Sequence, residues 1–188
     1  MRPTRHRRSV RLPGHGYAEG LYFVTVCTAC RRPAFGAVRA GAMHLSATGR
    51  IADAEWRRTA SVRASVRLDA HVVMPDHVHL LFAVVPSGRG GTDDRSGTDV
   101  RRGTPSVCPY PWVRRFGGAE AGTVATIMRQ YKSVVTKRVW AELGRSVGPV
   151  WQRGYHDRVV RTPREAAAVR RYIAQNPARW NAGSAGSG

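Results

Sequence analysis

The stretch from Val66 to Val85 limits the fold more than any other, because two runs rich in Val, Leu, Phe and His are separated only by Met74-Pro75-Asp76. β-Branched and aromatic residues suit a pleated surface. Three residues containing Pro and Asp make a tight reversal, so the spacing predicts strands over roughly 66–73 and 77–85, paired antiparallel. Side chains alternate along a strand, which puts His77 and His79 on one face with Leu81, Ala83 and Val85, and Val78 and Leu80 on the other. Two imidazoles at one end of an apolar face are half of a metal site. They suit a plain pair of hydrogen-bonded histidines on a sheet equally well.

The remaining chain supplies partners for this hairpin. Leu21-Tyr22-Phe23-Val24-Thr25-Val26-Cys27 reads as a first strand. A helix is expected from Ser46 to about Ala60, with Ser46 or Thr48 as cap and Ile51, Ala54, Glu55 and Arg58 at helical spacings. A longer helix follows over Thr123 to Leu143, with an apolar stripe of Val124, Ile127, Met128, Tyr131, Val134, Val135 and Val139. Residues 148–161 read as a loop entering a short extended piece. Thr162, Pro163 and Glu165 form a capping-box start to a last helix expected from Pro163 through Ala174, with Pro177 ending it. Between them, residues 86–122 turn to Gly, Ser, Thr, Pro and Arg, with Gly-Thr-Asp at 91–93 and again at 97–99. This segment is expected to be a flexible insertion, either touching nucleic acid through Arg101, Arg102, Arg114 and Arg115 or serving as a solvated linker. Residues 1–20 read as a basic arm and 181–188 as a flexible tail. The order of elements over 21–180 suits one α+β domain, a ferredoxin-like or RRM-like sandwich with an antiparallel sheet flanked by helices.

Charge narrows the partner. Thirty-one Lys and Arg stand against 12 Asp and Glu, a net charge of +19 over 188 residues, and such an excess draws polyanions. Nucleic acid is therefore the expected partner. Arg2, Arg5, Arg7, Arg8 and Arg11 of the arm suit phosphate contacts, while Trp151 and Tyr155 suit either stacking on unpaired bases or core packing. The chain has neither a run of about twenty apolar residues nor the pattern of a signal peptide, so a cytoplasmic protein without a membrane partner is expected. Its three cysteines, Cys27, Cys30 and Cys108, are too few and odd in number for a disulfide framework, and Cys27-x-x-Cys30 has no second pair at zinc-finger spacing.

A metal site that processes phosphodiesters also needs a nucleophile, and the six tyrosines differ in what lies one helical turn away. Tyr131 is followed by Val135, which suits a core role. Tyr172 is followed by Asn176, so one helix face could offer a phenol and an amide oxygen to the same ion. The alternative is that Tyr172 packs and Asn176 caps the helix before Pro177.

Three ordered motifs, Met74-Pro75-Asp76-His77-Val78-His79-Leu80-Leu81, Val150-Trp151-Gln152-Arg153-Gly154-Tyr155-His156-Asp157-Arg158-Val159-Val160-Arg161 and Tyr172-Ile173-Ala174-Gln175-Asn176-Pro177, together resemble the single-tyrosine HUH transposases, especially the REP-associated tyrosine transposases. Tyr22-Phe23-Val24-Thr25-Val26-Cys27 is similar to their first strand, and residues 86–122 are longer than that family's basic domain leads one to expect. The resemblance implies His77 and His79 as metal ligands, Asn176 as the third, and a divalent cation, Mg or Mn. It implies Tyr172 as the nucleophile that forms a 5′-phosphotyrosine on single-stranded DNA, beside a hairpin in some relatives. A bacterial, nucleoid-associated enzyme is the corresponding expectation, with monomer and homodimer both open. Two competing readings keep the fold without this chemistry: a non-catalytic single-strand-binding module, and a metal hydrolase that uses water.

Overall fold

The computed structural model describes residues 20–85 and 123–180. Strand β1 (Gly20–Cys27) is followed by a small hairpin of β2 (Gly36–Arg39) and β3 (Ala42–Leu45), then by helix α1 (Ala47–Val62). Strands β4 (Val66–Val73) and β5 (His77–Val84), helix α2 (Val124–Leu143), strand β6 (His156–Val160) and helix α3 (Pro163–Trp180) complete the fold. The main sheet has the order β4-β5-β1-β6, with every neighbouring pair antiparallel. An α+β sandwich is thus observed, its βαββαβ order extended by α3. The β2-β3 hairpin was not anticipated, because four-residue strands with alternate exposure carry too short a pattern to stand out.

Local chemistry explains the helix starts. Ser46 caps α1 by accepting a hydrogen bond from the Gly49 N–H at 3.1 Å, and Thr123 caps α2 by accepting from Thr126 N–H at 3.4 Å. Thr162 accepts from Glu165 N–H at 3.1 Å, while Glu165 reaches back to the Arg161 N–H at 2.8 Å.

The two sheet faces carry separate cores. Tyr22, Val24, Val26, Val78, Leu80 and Phe82 pack beneath α1 and α2 with Trp56, Ile127, Met128 and Val135. On the other face, Leu81 and Val160 pack against Ala166, Val169 and Ile173 of α3. A bulge in β4 serves both: Leu68 pairs with Phe82 and Ala70 with Leu81, leaving Asp69 as the extra residue. That insertion shifts the alternation by one, so Leu68 joins the first core and Ala70 and Val72 the second. Asp69 is then free to receive Arg170 of α3 in a two-pronged ion pair of 2.8 and 2.6 Å.

Pro177 does not end α3, contrary to expectation; the helix continues to Trp180. Proline removes one backbone hydrogen bond and crowds the preceding turn. The last turn is nevertheless retained by tertiary contact, for Trp180 packs on the His77 ring with centroids 5.8 Å apart, and α3 also packs against β3.

Candidate active site

The histidine pair lies where alternation along β5 put it. His77 and His79 are buried on the α3 side of the sheet, opposite Cys27 and Thr25 of β1. Their Nε2 atoms converge to 3.0 Å. Each ring is held from behind: His77 Nδ1 meets Asp76 Oδ1 at 2.5 Å, and His79 Nδ1 meets Thr25 Oγ1 at 2.9 Å. Asp76 in turn pairs with Arg31 at 3.4 Å.

These partners define a complete relay. Asp76, a carboxylate, accepts from His77 Nδ1–H, which leaves a lone pair on His77 Nε2. His79 satisfies that lone pair by donating from its own Nε2–H, provided Thr25 donates its hydroxyl to His79 Nδ1. If Thr25 instead rotates to accept from Nδ1–H, both Nε2 lone pairs face the same point. The Thr25 hydroxyl therefore permits both a self-satisfied pair and a pair of ligands.

Burial pushes both imidazoles toward the neutral form. His77 is lowered from its ordinary value chiefly by desolvation, against the opposing pull of Asp76. His79 is pushed down to about 3 by desolvation first, then by His77 and Arg31. Neutral imidazole is the form that binds metals.

Helix α3 delivers the phenol. Tyr172 Oη is 3.2 Å from His79 Nε2, its ring 5.1 Å from the His79 ring and edge-on to Phe23 at 6.0 Å. The residue keeps 42% of its surface exposed. Asn176 sits half-buried on the same helix face, one turn after Tyr172 and one turn before Trp180, the two residues that touch His79 and His77. Its side chain has no hydrogen-bond partner among the described residues. Nor is there, among the described residues, a cluster of three His, Cys, Asp or Glu able to hold an ion.

Other expectations divide. Tyr131 is fully buried, its hydroxyl donating to the Ala52 carbonyl at 3.0 Å, and burial pushes its phenol up; it belongs to the core, as its spacing indicated. Trp151 and Tyr155 also pack against the core beneath α1 and α2. Trp151 stands between Phe35 and Tyr131, and its indole N–H donates to the Lys132 carbonyl at 3.1 Å. These contacts show core packing, one of the two roles the sequence left open for Trp151, with its polar atom satisfied on the face away from the histidines. Arg2, Arg5, Arg7, Arg8 and Arg11, the 86–122 insertion and the 181–188 tail lie outside the described residues. The sequence gives Asp76, Thr25, Phe23 and Trp180 no role at the site. Asp76 stands beside His77 in sequence, but the others are distant in the chain: strand pairing brings in Thr25 and Phe23, and the packing of α3 brings in Trp180.

Comparison with solved structures places the architecture. A REP-associated tyrosine transposase bound to a REP hairpin matches with a TM-score of 0.51 and 18% identity, covering 85% of this chain and 67% of that one. The chain shares its fold with a tyrosine transposase. A Deinococcus radiodurans R1 protein carrying a provisional transposase name aligns at a TM-score of 0.48 and 16% identity, over 87% of this chain and 96% of its own. In sequence, an uncharacterised Haemophilus influenzae protein is 28% identical over 176 residues, spanning 93% of this chain and 90% of that protein. No family model matches. No helix among the described residues is long and apolar enough to cross a membrane.

Proposed function

We propose that this chain is a metal-dependent enzyme of the HUH single-tyrosine type, which cuts and rejoins single-stranded DNA through Tyr172. One observation carries the reading: the phenol oxygen of a partly exposed tyrosine lies 3.2 Å from a buried neutral imidazole whose partner nitrogen is only 3.0 Å away. Nucleophile and prospective ligands therefore meet in one chain, with α3 anchored to β4 by Arg170 and Asp69.

The donor set fits a divalent cation such as Mg or Mn. The two imidazole nitrogens, 3.0 Å apart, would both reach one ion, and Asp76 and Thr25 orient the rings from behind as such ligands require. His77 and His79 would hold the ion, with Asn176 as the third protein ligand. When bound, the ion supplies charge stabilisation to a non-bridging oxygen of the scissile phosphate. Tyr172 Oη gives up its proton and attacks phosphorus; the Oη–P bond forms, the P–O3′ bond breaks, O3′ takes up a proton and leaves as a free 3′-hydroxyl, and the protein keeps the 5′ phosphate. Because the phosphoester energy is retained, the reverse reaction rejoins a strand without an energy source. The hairpin bound by the structural neighbour supports hairpin-bearing DNA as substrate, and the +19 charge supports DNA generally.

The test is a denaturation-resistant protein–DNA adduct on a labelled pool of single-stranded oligonucleotides with Mn or Mg. Adduct is expected with the parent chain and absent with Tyr172→Phe or with chelator. Cleavage without adduct would assign the site to water-dependent hydrolysis. Binding that leaves the strand intact would reduce the protein to a binding module.

A further inference from the structure

Helix α3 starts at the end of β6 and crosses the histidine face toward β5, β4 and β3. The corner of the sheet it leaves is built from β1 and β6. Pairing sets two rows there, His79–Thr25–His156 and Leu81–Phe23–Arg158, and both His156 and Arg158 are exposed. The Arg158 guanidinium lies 5.9 Å over the Phe23 ring, the ring that meets Tyr172 edge-on. No carboxylate among the described residues pairs with Arg158, so its charge is available to an anion.

A second guanidinium stands at the other end of this corner. Arg31 donates to Cys27 Sγ at 3.2 Å and approaches Asp76 at 3.4 Å through the same Nη1, with 58% of its side chain exposed. Its other nitrogens face no described acceptor. The backbone at Cys30 and Arg31 adopts φ of 54° and 55°, a left-handed conformation that residues with side chains seldom take. The turn is pinned on both sides. Thr28 N–H donates to the Asp76 carbonyl at 2.9 Å, its hydroxyl donates to the Arg32 carbonyl at 2.7 Å, and Ala29 N–H donates to the Val150 carbonyl at 3.0 Å. A strained turn fixed so firmly holds Arg31 beside the histidines.

Resting on the function proposed above, we infer that a single DNA strand crosses this corner, with Arg158 and Arg31 gripping backbone phosphates on either side of the one presented to Tyr172. Guanidinium forks match phosphate oxygens in geometry and charge. Phe23 beneath Arg158 keeps that guanidinium in place on the open side of the phenol, and α3 closes the opposite side. The long motif from Val150 to Arg161 thereby acquires a role in its extended half, as the exposed edge that guides the strand.

The test measures binding of a labelled mixed-sequence single strand to the full chain over a range of salt concentrations, alongside adduct formation and thermal unfolding. Arg158→Ala and Arg31→Ala are each expected to flatten the plot of log affinity against log salt by about 0.7 and to slow adduct formation. Arg57→Ala, on α1 and paired with Asp53, should change neither. Arg31→Lys, which keeps the charge, should keep the parent slope; a slope as flat as that of Arg31→Ala would show that charge at this position does not meet a phosphate, and the proposal fails. Unchanged slopes with an intact adduct would also overturn it. Flattened slopes in a protein that forms no adduct would leave the DNA path standing and refute the chemistry instead.

Discussion

The imidazole pair makes a quantitative demand on stability. An unfolded histidine ionises near 6.5, whereas His79 in the fold is pushed down to about 3. The depressed value means that its contribution to stability is fully present above pH 6.5 and is lost as pH falls toward the folded value, because the unfolded chain takes up the proton first. At pH 5 the unfolded imidazole is nearly all charged, so His79 alone lowers stability by about 2 kcal/mol relative to pH 8. His77 shifts in the same direction, and since the two rings touch, the titration belongs to the pair. For a chain of 188 residues the loss corresponds to a fall in melting temperature of about 4–8 °C. Thermal unfolding followed by circular dichroism, with chelator present at both pH values, reads it directly. His79→Gln should show a smaller fall, since it removes one of the two coupled imidazoles. An equal fall in parent and variant would refute the claim that the pair is held neutral by burial.

Two further outcomes follow from the surroundings of the pair. Thr25→Val keeps the shape of the side chain but removes the hydroxyl behind His79; Mn affinity measured by calorimetry should fall about 10–100-fold, with little change in the fold. Ile173→Ala empties a site beside Leu81 and Val169, where Ile173 is 3% exposed. It should cost about 2–5 kcal/mol in urea denaturation and diminish adduct yield further than Val62→Ala, an exposed change on α1.

The βαββαβ core was legible because each element is long and periodic enough to show its buried face: the alternation along β5, the stripe on α2 and the capping box before α3. The β2-β3 hairpin had no such signal. Its strands are short, and its tip is closed by Ala40 and Gly41 at positive φ, 49° and 74°, rather than by the familiar Asn-Gly turn. Pro177 misled for a different reason. The intrinsic penalty against proline in a helix is local, and the contact of Trp180 with His77 that retains the final turn spans most of the chain.

Local covalent order determined which side chains each element carries and on which face: His77 with His79, Tyr172 with Asn176, arginines in excess throughout. Those facts depend only on the periods of strand and helix and on counting charges. Which of these faces meet was decided by the tertiary structure alone. Thr25 came behind His79 through strand pairing, α3 lay over β5 because a bulge at Asp69 turned Ala70 and Val72 toward it, and Trp151 went to the core because Phe35 and Tyr131 surrounded it. Contacts between residues far apart in sequence are set by burial and shape summed over the whole molecule, and no local pattern contains that sum.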